Sequence, residues 1–198
     1  MRRLFGPVVL RASRVTALPE TASARPFTAP WFTVKFADRP WEFRDAAALR
    51  RRVFCDEQGI FAGDDRDAID AQAIPIVAVS TLAVAAGDVV GTVRIHEPEP
   101  GHWMGSRLAV AADHRRIGAL GAALIQVAVS SAHARGCRRF TAHVQSQNAA
   151  MFATLHWRTL EEVDLHGRPH HLMQADLAHY PPLYDAVAGI TALARMAA

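Results

Sequence analysis

Residues 113–124, DHRRIGALGAAL, join two apolar runs of different period. Before them GSRLAV (residues 105–110) has the composition of a strand; after them Leu120, Leu124, Val127 and Ser131 recur at the spacing of one helix face. A strand feeding a helix in this way leaves unpaired N–H groups at the helix start, at the positive end of its dipole. Gly118 and Gly121 keep that backbone bare, and Arg115 and Arg116 add charge-assisted donors. The junction is therefore expected to receive phosphate. Tight helix packing is the simpler use of the same two glycines.

The rest of the chain alternates in the same fashion. WFTVKFA (residues 31–37) reads as a strand, and residues 45–59 as a helix capped by Asp45 with Leu49, Val53 and Phe54 on one face. AIPIVAVSTLAV (73–84) and VVGTVRIHE (89–97) form a predicted hairpin around the turn signal AAGD, and MGSRLAV (104–110) is a third strand. A helix over about residues 121–134, a strand RFTAHVQ (139–145), a short helix NAAMFATLHW (148–157) and strands near 161–165 and 171–177 complete the pattern. This order predicts an α/β domain over residues 31–178, with a mixed, mostly antiparallel sheet flanked by helices. Residues 1–30 lack periodicity and read as a poorly ordered extension without the apolar core of a secretion signal, so a cytoplasmic location is expected. Apolar spacing after Pro182 predicts a terminal helix within residues 179–198, left to cover the sheet edge or to mediate a homodimer.

With 198 residues, 51% of them hydrophobic, the chain has material for one sizeable core. No apolar run reaches the ~18 residues of a membrane span. The net charge of +3 is small and dispersed, and Lys35 is the only lysine, so neither nucleic acid nor a membrane is expected as partner; an anionic small molecule fits better. Cys55 and Cys137 have no metal-ligand spacing and read as reduced thiols. His166, His170 and His171 cluster without a carboxylate at defined spacing, so no metal is expected. A G-x-x-x-x-G-K-[ST] loop and a G-x-G-x-x-G turn are both absent, which removes the ATPase and dehydrogenase readings.

RLAVAADHRRIGALGAALI, residues 107–125, resembles the acetyl-CoA motif of the GNAT superfamily, a strand followed by [RQ]-x-x-G-x-[GA] at a helix start. Arg115 and Gly118 match the first two fixed positions; Leu120 stands at the third, with Gly121 one place later. LRRRVFCDEQGI (49–60) is similar to the L-R-x-x-V-F-x-x-E-Q helix of a small bacterial GNAT subgroup, and HGRPHHLMQADL (166–177) to its D-G-x-P-H-x-x-M strand. AHVQSQNAAMFATLHW (142–157) also resembles acetyltransferase-like domains found beside nitrilases or fused to AIR-synthase-like domains.

The resemblance implies a GNAT-like acyl-CoA N-acyltransferase fold that uses acetyl-CoA, or another acyl-CoA, as co-substrate. Leu108, Ala109 and Val110 would pair with pantetheine, and the backbone of Arg116, Ile117, Gly118, Ala119, Leu120 and Gly121, with Arg115, would hold the pyrophosphate. Asn148 would lie near the thioester, or only cap the following helix. The tyrosine that many members use to protonate the leaving thiolate corresponds to Phe152, with Tyr180 and Tyr184 near the C-terminus. Glu57 is the candidate general base, with a helix-end surface carboxylate as the alternative. Gln58, Arg94 and Arg107 are candidates for binding the acceptor; the two arginines have an equal alternative in pairing with Glu97 or an aspartate. The expected activity is acyl transfer from CoA to a small-molecule amine by direct attack in a ternary complex. A catalytically weak acyl-CoA-binding or partner-binding module is the second reading. An acyl-homoserine-lactone synthase, suggested by GSRLAV, is the third, with Met104 where that family has glutamate.

Overall fold

Phe32, Val34 and Phe36 alternate with more exposed neighbours along strand β1 (Trp31–Phe36) and drive one face of it into the core. A computed structural model describes residues 31–82, 85–115 and 117–193. In it β1 joins β2 (Ile74–Leu82), β3 (Ala85–Glu99), β4 (His102–Val110), β5 (Arg139–Gln145), β6 (Trp157–Leu165), β7 (Arg168–Ala175) and β8 (Ile190–Leu193). They form one sheet in the order β6-β7-β5-β4-β3-β2-β1-β8. Neighbours run antiparallel except β4 and β5, which are parallel. A parallel pair requires a crossover, and helix α2 (Gly118–His133) provides it.

Helices cover both faces. Leu124 of α2 lies so close to Gly91 that an added Cβ would sit 2.8 Å from it, which places α2 on the face of β3 that carries Val93 and Ile95. Helix α1 (Pro40–Arg51) packs on the other face, where Arg94 meets Asp70, a partner it shares with Arg50. The short α3 (Ala149–Thr154) returns to the α2 side, with Phe152 edge-on to Trp157 at 5.1 Å between ring centroids.

Several boundaries differ from expectation. Helix α1 begins at Pro40, whose fixed φ suits the first turn, and the buried Glu42 carboxylate accepts the N–H groups of Asp38 and Arg39 at 2.8 and 3.2 Å. Asp45 is thus inside the helix and caps nothing. The helix runs on into a π-helical stretch, Arg52–Glu57. AAGD is no turn but the first residues of β3, which pair irregularly with β2. No helix forms between residues 180 and 193: Pro181 and Pro182 break the backbone, and β8 pairs antiparallel with β1, satisfying its open edge. The folded unit therefore extends past residue 178. Gly189, with φ +71 and room for no Cβ (2.2 Å from the Val34 carbonyl oxygen), allows that approach. The N-terminal extension, residues 83–84 at the end of the strand expected over 73–84, Arg116 and residues 194–198 lie outside the described residues.

Two irregularities in β4 prepare the site. Pairing with β5 runs from His102 with Arg139 to Gly105 with Ala142 and stops, so the two strands part beyond that point. Against β3, the register shifts between Thr92 and Arg94, and Arg107 occupies the bulge with φ 55, a left-handed conformation unusual for a non-glycine residue.

Candidate active site

Where β4 and β5 part, a cavity of about 410 Å³ opens through the sheet. Side chains alternate across strands, so the two faces furnish it differently. On the α1 face lie Arg94, His96, Ser106, His143, Gln145 and His170, with Phe54, Gln58, Phe61 and His166 above them. On the α2 face lie Val93, Gly105, Phe140 and Ala142 from the strands, Ile125, Ala128 and Val129 from α2, and Phe152 and Trp157. One chamber is polar, the other apolar.

An ion-pair network walls the polar chamber. Arg94, 2% exposed, donates to Asp67 at 2.8 and 2.7 Å, to Asp70 at 2.8 Å and to Ser106 Oγ at 2.9 Å. Arg50 pairs with Asp65 at 2.8 Å and Asp70 at 2.6 Å. The bulge turns Arg107 toward Asp65 at 3.0 Å and Asp67 at 3.1 Å, with its guanidinium 4.4 Å from the Phe61 ring centroid. Hydrogen bonding from Arg94 lowers the Asp67 pKa; burial alone would raise Asp70, but Arg50 and Arg94 overcome it and hold it well below the usual carboxylate range. Three arginines meet three aspartates, so Arg94 and Arg107 are already neutralised. The aspartate alternative for those arginines is the one observed, and the pairs fasten residues 65–70 over the sheet.

Gln58 reaches the cavity, where its Oε1 accepts from Gln145 Nε2 at 3.0 Å and its backbone carbonyl accepts from Arg168. Glu57, one residue earlier, is not among the lining side chains; its carboxylate pairs with Arg115, whose Nε also donates to the Val110 carbonyl at 2.9 Å. A histidine was an expected alternative to tyrosine as proton donor, but none was singled out by position or as the base. His170 Nδ1 lies 2.8 Å from the Arg168 carbonyl; a carbonyl only accepts, so Nδ1 carries a proton and Nε2 is the nitrogen left to accept one. Desolvation, reinforced by His170, lowers the pKa of His143, and desolvation reinforced by Arg94 lowers that of His96, whose buried Nδ1 has no partner among the described residues. The D-x-x-D spacing of Asp67 and Asp70 was the available signal for the network. For His143 there was none, since only β5–β7 pairing brings it near His170.

Leu108, Ala109 and Val110, the residues expected to pair with pantetheine, lie in the part of β4 that β5 no longer covers. Gly118 opens α2, Ile117 and Leu120 are buried in the core, and Ala119 is half-buried. A Cβ added to Gly121 would meet nothing within 4 Å, so the surface beside the first turn of α2 is open, as a bound phosphate requires. Asn148 precedes α3 and lines the cavity, but its side chain makes no capping bond. Phe152 is buried, and Tyr180 accepts from Trp157 Nε1 at 2.9 Å while donating to the Leu155 carbonyl. Among the described residues no group of three or more His, Cys, Asp or Glu is arranged to hold a metal, and no helix is long and apolar enough to cross a membrane.

The family model of the acetyltransferase (GNAT) family matches residues 26–156, well over half of the chain. The chain belongs to the GNAT acetyltransferase family. Its mixed sheet flanked by helices is that family's fold. A protein from Lactobacillus plantarum assigned to the N-acetyltransferases superimposes with a TM-score of 0.64 at 22% identity, over 73% of this chain and 97% of that one. ElaA of Escherichia coli gives 0.60 at 16% identity over 73% and 98%. The CoA-dependent acyl-homoserine lactone synthase BjaI, in a structure with SAM and isopentyl-CoA, gives 0.57 at 15% over 73% and 83%. At these identities the likeness speaks for the fold. No curated protein matches in sequence.

Proposed function

We propose that this GNAT acyltransferase moves an acyl group from CoA to the amine of a small molecule in a ternary complex. The carrying observation is the parted β4–β5 pair, which opens beside the bare first turn of α2 and leads through the sheet into a polar chamber. The N–H groups of Gly118 and Ala119 suit a pyrophosphate, that of Leu120 being donated to the Ile117 carbonyl at 2.9 Å, and the uncovered edge of β4 at Leu108 and Val110 suits the amides of a pantetheine arm. Asn148 and Phe152 flank the same gap.

The amine approaches from the α1 face and must be neutral to attack. His170 is our candidate to accept its proton at Nε2, with Nδ1 anchored to the Arg168 carbonyl and Gln58 and Gln145 orienting the nucleophile. The nitrogen adds to the thioester carbonyl carbon, the C–S bond breaks, an amide forms and the sulfur departs as thiolate. Its proton then comes from water, because Phe152 offers no hydroxyl and that of Tyr180 already serves Leu155 and Trp157. Glu57 is assigned a positioning role, holding Arg115 beside the cofactor loop. Because the network cancels the charge of Arg94 and Arg107, the acceptor is a neutral or cationic amine.

Calorimetry in EDTA with CoA, acetyl-CoA and ATP tests the cofactor: CoA and its thioester bind and ATP does not. Thiol release from acetyl-CoA across a panel of primary amines from pH 6 to 9 then tests turnover. Missing tyrosine hydroxyls in the cavity favour the second reading, a catalytically weak acyl-CoA-binding module, which predicts CoA binding without release. The acyl-homoserine-lactone reading draws on the BjaI likeness, but Met104 lines the cavity where a glutamate is called for. Stabilisation by SAM in a thermal-shift assay would revive it.

A further inference from the structure

We infer that the apolar chamber under α2 is an acyl-chain pocket, and that the preferred donors are aliphatic acyl-CoA thioesters of butyryl to hexanoyl length rather than acetyl-CoA. The inference rests on the acyl-CoA reading above and adds the class of acyl group.

Chemistry of the walls comes first. Val93, Ile125, Ala128, Val129 and Phe140 present only carbon, and Trp157 Nε1, on a further lining residue, is already bonded to the Tyr180 hydroxyl at 2.9 Å. Water placed against these five side chains finds no partner among them, whereas an alkyl chain is matched by their carbon surface. The cavity these residues help to line holds about 410 Å³, and unfilled volume destabilises a fold, so the space points to an occupant.

Ala142 on β5 and Ala128 on α2 keep that lining shallow, while the place of a side chain at Gly105 on β4 is taken by the Phe140 ring, 3.2 Å from an added Cβ. Gly105 and Ala142 are also the last paired residues of the two strands, so the pocket sits at the closed end of the gap. Ala128 lies seven residues along α2 from Gly121, about 10 Å along the helix axis at ~1.5 Å per residue. A thioester whose pyrophosphate rests on the first turn of α2, and whose arm follows β4, delivers its acyl group to this end of the gap. The opposite chamber, with Arg94, His96 and Ser106 on its walls, penalises an alkyl chain and suits the amine. The sheet thus sorts the two reactants by polarity.

The test is calorimetry on the full chain with CoA, acetyl-CoA, butyryl-CoA and hexanoyl-CoA. Affinity should rise by up to about fourfold per methylene, the equivalent of ~0.8 kcal/mol for burying a CH₂. Hexanoyl-CoA should bind at least about tenfold more tightly than acetyl-CoA. Ala128→Phe should abolish that gain while free CoA still binds, with a melting curve to check the fold. Should Ala128→Phe not fold, Ala142→Leu serves the same purpose, and the wild-type series decides by itself whether a chain-length preference exists. Equal affinity for all thioesters, with CoA itself bound, overturns the pocket and leaves the acyltransferase reading standing. An undiminished hexanoyl gain in a folded variant places the chain elsewhere and also overturns it. Failure of CoA and every thioester to bind removes both readings together.

Discussion

The α2 side of the cavity is made of backbone and carbon, whereas the α1 side is made of charged and hydrogen-bonding side chains gathered from distant parts of the chain. On the first, the features open to a ligand are a helix start, an uncovered strand edge and an apolar lining. On the second, Arg94 and Asp67, which are 27 residues apart, must meet within hydrogen-bond distance, and so must Gln58 and Gln145, 87 apart. A backbone site tolerates many side chains around it. A network of buried charges tolerates few changes, because each partner removed leaves another uncompensated.

The sharpest way to break this contrast is to remove one member of the network. Arg94→Met should destabilise the protein by about 3 kcal/mol, the low end for breaking a buried pair, since Asp67 and Asp70 keep some contact with solvent. Urea unfolding measures it, and a loss under about 1 kcal/mol would make the pairs no more than surface bridges. His170→Gln comes next: turnover should fall about 100-fold between pH 7 and 8, with acetyl-CoA affinity almost unchanged. Equal loss of kcat at every pH, or an unaltered rate, would remove His170 as the proton acceptor.

Gly121→Leu probes the other side. The site has room for a side chain, so stability should hold or rise by about 0.5 kcal/mol as a helical glycine is replaced, while CoA affinity falls about tenfold. Loss of stability instead would show that the glycine serves packing. Acid should act on the α1 side. His96 and His143 have lowered pKa values in the fold, so the unfolded chain binds their protons first, and stability declines as the pH falls below ~6.5. Asp67 and Asp70 are also lowered; their contribution is full above ~4 and is lost as the pH falls through their folded values. A His96→Asn, His143→Asn double variant should flatten the upper part of that decline. The smallest effect belongs to Glu57→Gln, whose exposed partner Arg115 makes the pair worth less than about 1 kcal/mol; a small rise in the Kd for CoA is expected, with kcat retained.

The strand-to-helix junction was legible because its parts are contiguous: strand end, arginine, glycines and helix start all fall within residues 107–125. The acceptor side was legible only in fragments. Gln58 was found and reaches the cavity, but its neighbour Glu57 points to Arg115, a difference of one residue in a π-helical turn where the ordinary helical spacing does not apply. Arg94 and Arg107 were found as charges, and the aspartates that neutralise them emerged only with the fold. His170 stood in a recognisable segment, yet its tautomer depends on a bond to the Arg168 carbonyl that no spacing rule announces.

Alternating and helical periodicities, set by local backbone sterics and by which side chains avoid water, determined the order of strands and helices and the helix start at the cofactor loop. The tertiary structure decided where β4 and β5 part, how the bulge turns Arg107 into the network, and that residues 190–193 close the sheet edge as a strand instead of continuing a helix. Those outcomes depend on partners far along the chain: an open strand edge draws in any segment able to pair with it, and a buried charge is tolerated only where an opposite charge arrives to meet it.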